Sequence, residues 1–253
     1  AQESRGLGDV YKRQGCLFIA IKGERFDGHA FIKQAIENGA AAAVSEYPVD
    51  GCPCIVVKNT RTALLKLAKY YRSKFNPVLV GITGSVGKTT TKEMIALVLS
   101  EKYKTLKTQG NLNNEIGLPK TLFNLDSSYQ AAVIEMGMSD FGEIERLSNT
   151  AVPTIGVITN IGFSHIENLK SQEGILKAKL EILSGMKSDA PLIVNGDDRY
   201  LAPLKEEFKS SRSVYLYGIG DKCDFRAKNI IEENGITRFT LVYNGVNTEI
   251  EIP

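Results

Sequence analysis

One segment, VGITGSVGKTTTKEM at residues 80–94, constrains the fold of this chain more than any other. Apolar residues typical of a buried strand run into a glycine-rich turn, and Gly87-Lys88-Thr89 then opens a predicted helix. This order brings backbone N–H groups and the positive end of a helix dipole to one point. The segment therefore predicts a phosphate site for ATP or GTP at the end of a strand in an α/β sheet.

The turn departs from the common GxxxxGK(S/T) spacing, because Ile82 stands where the first glycine is expected. What remains is a shorter variant in which Lys88 reaches the β and γ oxygens and the Thr89 hydroxyl can ligate Mg²⁺. The alternative is a glycine-rich turn with an exposed lysine. The residues predicted to bind the nucleotide here are Gly84, Ser85, Val86, Gly87, Lys88, Thr89 and Thr90.

The rest of the chain after Pro77 predicts a doubly wound, mostly parallel sheet. Four short apolar runs alternate with helix-length segments, as parallel strands covered on both faces require. The runs are VLVGIT at 78–83, AAVIEMG at 131–137, TIGVITNI at 154–161 and PLIVNGDD at 191–198. The last thirty or so residues instead alternate polar with apolar around Asn234-Gly235 and Asn244-Gly245, which predicts a C-terminal antiparallel meander.

A smaller α/β domain is predicted before the sheet. Its expected elements are strands at 17–21, 41–44 and 54–57 and helices at 30–38 and 60–74. Pro77 disfavours helical geometry at the residue before it and marks the boundary. The predicted organisation is an irregular or non-native leader at 1–14, a small domain at 15–76 and a larger one at 77–253.

Polar residues follow several of the predicted strands, and open α/β sheets bind ligands beyond the carboxyl ends of their strands. Glu135 could hold Mg²⁺ through a carboxylate oxygen, or could be an ordinary surface acid. His165 lies in the loop after the predicted strand that ends at Ile161. Asn195, Asp197 and Asp198 end the last apolar run. We expect these residues to face one crevice with Lys88.

A loop with three asparagines, TQGNLNNEIGLPKTL at 108–122, precedes a helix with Pro119 in its first turn. Such loops are often turns that tolerate left-handed geometry, so a binding role and a purely structural one both stay open.

Composition excludes several classes of function. A formal charge of +2 from 31 basic and 29 acidic residues is too small to indicate a nucleic-acid partner. No apolar run approaches the roughly 18 residues needed to span a bilayer. Four scattered cysteines predict neither a disulfide framework nor a metal cluster. These features predict a soluble, cytoplasmic protein.

With GNLNNEIGLP, IEMGMSDFGEI and NIGFSHIENL beside the glycine loop, the chain from about Gly15 to Pro253 resembles the Mur ligase family. The resemblance implies an ATP-dependent amide ligase of peptidoglycan precursor synthesis that acts through an acyl phosphate. It implies UDP-N-acetylmuramoyl-tripeptide and D-alanyl-D-alanine as substrates, two Mg²⁺ ions and a monomer. The alternatives are another Mur ligase, an enzyme like folylpolyglutamate synthase (FPGS), or more remotely a nucleotide-switch module.

The resemblance also implies roles for individual residues. Thr89 and Glu135 would hold the first Mg²⁺, and His165 would bind a second. The segment GILKAKLEIL matches the helix that carries a carbamylated lysine, which selects Lys179 as a further ligand; taken alone, Lys179 would be a solvated helix lysine. Lys88, Lys179 and His165 are the implied catalytic residues, and Asn195 is expected at the nucleotide.

Substrate contacts are implied in two loops. Asn111, Asn113 and Asn114 would line the muramoyl-peptide channel, and the UDP end would meet Arg25, Asp27, Gly28 and His29. Family members carry a third, C-terminal domain that supplies adenine contacts and the site for the incoming amine. Because no sequence of that kind follows the meander, we expect this chain to be a fragment that is inactive by itself.

Overall fold

The computed structural model describes residues 14–23 and 26–252, and the chain divides into two compact units, residues 1–67 and 68–253. The division falls at 67/68, inside a helix, rather than at the predicted 76/77. Ala68 belongs to the core of the second unit, and Tyr71 and Phe75 pack against that core. The C-terminal part of this helix therefore packs into the core of the larger unit, although Pro77 is the residue that interrupts helical geometry.

The first unit is a three-stranded parallel sheet with order β1-β2-β3. Its elements are β1 (Leu17–Ile19), a 3-10 helix (Gly28–Phe31), α1 (Ile32–Glu37), β2 (Ala42–Ser45), β3 (Cys54–Val56) and α2 (Thr60–Arg72), which crosses the division. The predicted helix at 30–38 is thus a 3-10 turn that continues into a six-residue α-helix. Phe18, Ile32 and four alanines form the small core.

The second unit is built on a nine-stranded sheet with order β12-β11-β10-β9-β8-β7-β4-β6-β5. The strands are β4 (Val78–Thr83), β5 (Thr105–Lys107), β6 (Ala131–Glu135), β7 (Ile155–Ile158), β8 (Leu192–Asn195), β9 (Val214–Gly218), β10 (Phe225–Glu233), β11 (Ile236–Tyr243) and β12 (Val246–Ile252). Every pairing from β5 to β10 is parallel, whereas β10 to β12 are antiparallel. The predicted fold class is confirmed.

Helices cover the central strands on both faces. They are α3 (Lys88–Ser100), α4 (Gly117–Leu122), α5 (Glu143–Ala151), α6 (Ile166–Leu169), α7 (Gln172–Leu180), a 3-10 helix (Glu181–Gly185) and α8 (Leu204–Glu207). In β4, Val80 and Ile82 pack with Ala96 of α3, whereas Leu79 belongs to the large cluster on the opposite face. This alternation explains the continuous apolar run in the strand. Within the described residues, no helix combines the length and hydrophobicity needed to cross a membrane.

Both predicted hairpin turns are confirmed. Asn234 and Gly235 have φ of 54° and 76°, and Asn244 and Gly245 have φ of 50° and 77°. Two consecutive positive φ values match the right-handed twist of the flanking strands, which is why Asn-Gly is favoured there.

The strands predicted at 131–137, 154–161 and 191–198 end earlier, at Glu135, Ile158 and Asn195. The residues beyond these points leave the sheet and build the loops of its C-terminal edge. β5 and β9 were not predicted; β5 has only three residues, too few for a periodic signal.

Candidate active site

The glycine loop lies between β4 and α3, at the C-terminal edge of the sheet. Four neighbouring parallel strands, β8, β7, β4 and β6, end at this edge, so the residues that follow them share it. Gly87 precedes α3 with φ of 78°, and Lys88 is the first helical residue. The loop therefore sits at the N-terminus of a thirteen-residue helix, where unpaired N–H groups favour an anion.

Gly84 occupies a position that no other residue could take without displacing its surroundings. Its φ is 153°, and a Cβ built there would lie 1.8 Å from Thr159 Oγ1 and 3.0 Å from Thr159 Cβ. The loop can thus approach the end of β7 only because residue 84 has no side chain.

Gly84→Ala is expected to lower the free energy of unfolding by about 1–3 kcal/mol, as overpacking does, and to weaken ADP binding at least about tenfold. Urea unfolding and calorimetric titration with ADP and Mg²⁺ measure the two effects. Gly245→Ala is the matched control, since Gly245 also has a positive φ but nothing within 4 Å of its Cβ position. Normal ADP binding by Gly84→Ala would show that the contact with Thr159 does not shape the site.

Lys88 folds back over the loop. Its Nζ donates to the carbonyl oxygens of Gly84 at 2.8 Å and Ser85 at 3.4 Å. Burial lowers the pKa of the Lys88 ammonium, and the charge of Glu135 opposes that shift. A cation held against the loop carbonyls is placed to turn toward phosphate oxygens.

Glu135 is a buried carboxylate, 2% exposed, at the end of β6. Oε2 accepts from the Thr89 hydroxyl at 3.1 Å and Oε1 from Asn113 Nδ2 at 2.9 Å, while its backbone N–H donates to Thr108 Oγ1. The interpretation of Glu135 as a surface acid is wrong. Two oxygens of different residues, Thr89 and Glu135, instead converge beside the phosphate loop, as a magnesium ion requires.

Thr83 has the one buried side-chain oxygen or nitrogen that finds no hydrogen-bond partner among the described residues. It is fully buried and immediately precedes Gly84. Buried hydroxyls are normally paired, so the Thr83 hydroxyl is an exception among the described residues, directly before the glycine loop.

Lys179 lies on the buried face of α7 and is 2% exposed, so the expectation of a solvated lysine is wrong. Burial, and secondarily the charge of Lys88, lower the pKa of Lys179 to about 7. The lowered pKa favours the neutral amine near neutral pH, and a neutral amine is the form that reacts with carbon dioxide. The neighbouring Lys177 is exposed.

His165 immediately precedes α6 in the loop after β7, with φ of 61°, and is exposed. The structure brings it to the same sheet edge as Lys88 and Glu135. Within the described part of the chain, no group of three or more His, Cys, Asp or Glu side chains forms a ready metal cluster. Protein oxygens and nitrogens at this edge would supply only part of a coordination shell.

The three asparagines of the 108–122 loop occupy different environments. Asn113 contacts Glu135, as described above. Asn114 Oδ1 accepts from the backbone N–H groups of Ile116 and Gly117 and so supports the start of α4. Asn111 is exposed.

Polar residues at the end of β8 and just after it form hydrogen bonds mainly with backbone groups of loops. Asn195 Oδ1 accepts from the N–H of Asp197, so its side chain folds over its own turn. Asp197 accepts from the N–H groups of Ile219 and Gly220, and Asp198 from that of Ile161. Both carboxylates therefore accept hydrogen bonds from backbone N–H groups of neighbouring loops, and the expectation that they face the crevice stays a prediction.

In the first unit, Asp27 and His29 form a local network. Asp27 Oδ1 accepts from the N–H of His29 and lies 2.6 Å from His29 Nδ1, while His29 Nε2 accepts from the N–H of Glu46. The hydrogen bonds from His29 hold the pKa of Asp27 below its usual range. Gly28 is buried in the 3-10 helix. Arg25 lies outside the described residues.

The doubly wound sheet and the strand, glycine loop and helix at its C-terminal edge define an α/β protein of the P-loop class. The chain belongs to the Mur ligase family, since the Mur ligase middle domain matches residues 82–253 and the Mur ligase family catalytic domain matches residues 4–72. The resemblance inferred from the sequence is confirmed.

The relatives narrow the similarity within the family. The UDP-N-acetylmuramoyl-tripeptide--D-alanyl-D-alanine ligase of Bacillus subtilis is 45% identical over 241 residues, which cover 94% of this chain and 51% of the relative. MurF from Acinetobacter baumannii has a TM-score of 0.88 at 36% identity, covering 95% of this chain and 53% of the other. MurF from Thermotoga maritima, solved with ADP, has a TM-score of 0.87 at 34% identity, covering 94% and 55%. The chain thus spans about half the length of the proteins it matches.

Other ligases share the fold at lower identity. A UDP-N-acetylmuramoyl-L-alanyl-D-glutamate--2,6-diaminopimelate ligase matches at 19% identity with a TM-score of 0.65, covering 95% of this chain and 54% of the other. The S73A mutant of L. casei FPGS matches at 14% with a TM-score of 0.57, covering 79% and 58%. Similarity at this level shows a shared fold alone.

Four residues at the site were not singled out from the sequence: Thr83, Thr108, Thr159 and Asn160. Thr83, Thr159 and Asn160 lie at the ends of apolar runs, so position at a strand end was the available signal for these three. Thr108 follows β5, which is too short to give a signal. Their contacts depend on neighbouring strands and could not be predicted from one segment.

Proposed function

We propose that the gene product containing this chain is an ATP-dependent ligase that joins D-alanyl-D-alanine to UDP-N-acetylmuramoyl-tripeptide. One observation carries the proposal: the Thr89 hydroxyl and the buried Glu135 carboxylate meet at 3.1 Å beside a phosphate loop whose lysine faces inward. That arrangement suits phosphoryl transfer, where positioning and charge neutralisation do most of the catalysis. The 45% identity to the Bacillus subtilis ligase supports this choice of substrates.

In the proposed reaction, the carboxylate of the muramoyl peptide attacks the γ-phosphorus of ATP and ADP leaves, which forms an acyl phosphate. The amine of D-alanyl-D-alanine then attacks the acyl carbon, phosphate leaves, and the amine loses a proton. Lys88 binds the phosphate oxygens and balances their charge, assisted by the N–H groups at the start of α3.

The oxygens at the loop fit a first Mg²⁺, because Mg²⁺ is usually held by one or two protein oxygens plus substrate phosphates. Thr89 and Glu135 would hold it. A second ion would be held by His165 and by Lys179 carrying a carbamate, since an unmodified ammonium cannot ligate a cation. Bound Mg²⁺ neutralises developing charge on the transferred phosphoryl group.

The substrate contacts follow the same proposal. Asn111 and Asn113 would face the muramoyl peptide, and Asn114 would act through the helix that it supports. Asp27, Gly28, His29 and Arg25 would contribute to the UDP end from the first domain, residues 15–76. Asn195 would approach the nucleotide from β8. We further propose that the protein is a cytoplasmic monomer and acts in a pathway needed for cell shape and division.

The direct test is phosphate release by the gene product. We expect release from ATP that requires both UDP-N-acetylmuramoyl-tripeptide and D-alanyl-D-alanine, and that stops when Mg²⁺ is chelated. The 253-residue chain itself should bind ADP with Mg²⁺ in a calorimetric titration. Release supported by 2,6-diaminopimelate with the matching dipeptide substrate, but not by D-alanyl-D-alanine, would assign the protein to another Mur ligase.

A further inference from the structure

The backbone of the phosphate loop at Val86 is held by two side chains from the end of β7. Thr159 Oγ1 donates to the carbonyl oxygen of Val86 at 2.6 Å. Asn160 makes two hydrogen bonds to the same residue, accepting its N–H at 3.0 Å and donating to its carbonyl oxygen at 3.1 Å. Both backbone polar groups of one loop residue are therefore fixed from another strand.

The neighbouring residue Ser85 is held by the same segment. Its N–H donates to the Asn160 carbonyl at 3.2 Å, and its hydroxyl accepts from the N–H of Gly162 at 2.9 Å. The Val86 side chain is 63% exposed, so its packing does not anchor the loop. The hydrogen bonds to residues 159–162 thus set the course of the loop before α3.

The segment 159–162 is itself anchored from the opposite side. The N–H of Ile161 donates to Asp198 Oδ2 at 2.7 Å, and Gln172 Nε2 donates to the Ile161 carbonyl at 3.1 Å. Thr159 is 4% exposed. Because the segment has supports independent of the loop, it can impose a position on the loop rather than follow it.

We propose that Thr159 and Asn160 are positioning residues that hold the phosphate loop in its nucleotide-binding conformation through the backbone of Val86. The proposal rests on the nucleotide binding proposed above. The segment at 159–162 also leads directly to His165 along the chain. The phosphate loop and His165 then share one support, so their separation is set by residues 159–164.

The test compares Thr159→Val, which removes the hydroxyl at nearly constant shape, with Thr159→Ser, which keeps it. Asn160→Ala removes both hydrogen bonds to Val86. The matched control is Thr150→Val, since Thr150 is 3% exposed and its hydroxyl donates to the Arg146 carbonyl at 2.7 Å, within α5. Each variant of the 253-residue chain is examined by amide hydrogen exchange without nucleotide, by calorimetric titration with ADP and Mg²⁺, and by urea unfolding.

We expect Thr159→Val and Asn160→Ala to raise the Kd for ADP about tenfold, as loss of one or two hydrogen bonds predicts, and to speed exchange of the Val86 and Gly87 amides. Thr159→Ser should restore both properties. Thr150→Val should lose stability without changing either.

Unchanged exchange and unchanged Kd in Thr159→Val would overturn the proposal, as would a failure of Thr159→Ser to restore them. An equal loss of binding in Thr150→Val would also overturn it, because general destabilisation would then explain the effect. Absence of ADP binding by the wild-type chain would count against the proposed function. In that case the exchange rates alone decide whether Thr159 and Asn160 order the loop.

Discussion

Replacing Lys88 with alanine is expected to abolish ATP-dependent acyl phosphate formation by the gene product, with a loss of about a hundredfold or more. Lys88 is the cation at the loop, and its Nζ lies 2.8 Å from the Gly84 carbonyl oxygen. Its removal leaves the negative charge of the triphosphate balanced only by backbone dipoles and bound cations. The loss should appear in the rate of the chemical step as well as in nucleotide affinity, since charge shifts among the phosphate oxygens during transfer.

Trapping the acyl phosphate with hydroxylamine measures this step separately from the later attack by D-alanyl-D-alanine. Lys187→Ala is the control, because Lys187 is exposed and lies after the 3-10 helix at 181–185, away from the loop. Retained trapping in Lys88→Ala would refute the phosphate role. The loop would then be a glycine-rich turn with a nearby lysine.

Replacing Lys179 with methionine is expected to stabilise the unmodified chain at pH 6 by on the order of a few kcal/mol, since each unit of pKa shift corresponds to about 1.4 kcal/mol. The ordinary pKa of 10.5 falls to about 7 in the folded protein. Below pH 7 both the folded and unfolded states carry the proton, so the full cost of burying the charge is present. Between pH 7 and 10.5 the unfolded state binds the additional proton, and wild-type stability therefore rises with pH.

The difference in the free energy of unfolding between Lys179→Met and the wild type should therefore become smaller as pH rises from 7 toward 10.5. Urea unfolding in bicarbonate-free buffer between pH 6 and 9 measures the difference. Lys177→Met is the matched control on the same helix, because Lys177 is exposed. A pH-independent difference between wild type and Lys179→Met would show that the Lys179 amine is not the titrating group.

The same substitution should eliminate ligation while it stabilises the fold. A neutral Lys179 amine and carbon dioxide form a carbamate with release of one proton, and methionine cannot do so. With ¹³C-labelled bicarbonate, we expect a carbamate resonance in the wild type and in Lys177→Met but not in Lys179→Met. A variant that is more stable but inactive would show that burial of Lys179 lowers the stability of the fold and is needed for activity.

Much of the second unit could be predicted because its signals are local. The run at 78–83 forms β4 with the predicted bounds, and the two Asn-Gly pairs form the turns between β10, β11 and β12. Strand hydrophobicity and turn chemistry act within a few residues of the chain, so one sequence suffices to detect them. The three-residue β5 escaped prediction because its place depends on pairing with β6.

The candidate site divides in the same way. Lys88 and Thr89 were predicted from the glycine loop, and Glu135 from its position at a strand end. The burial of Lys179 was not predicted, because lysines are ordinarily exposed, yet Lys179 shares the buried face of α7 with Ile175 and Ala178. The hydrogen bond from the N–H of Ile161 to Asp198 was not predictable either, because it forms only where the end of β7 lies beside that of β8.

The sequence by itself therefore determined the strand, glycine loop and helix, the parallel sheet and the C-terminal meander, because each depends on neighbours along the chain. The tertiary structure alone decided that Thr89 meets Glu135, that Lys179 is buried with a pKa near 7, and that Thr159 holds the loop at Val86. These properties arise between residues tens of positions apart. Only the order of strands in the sheet brings such residues into contact and removes them from water.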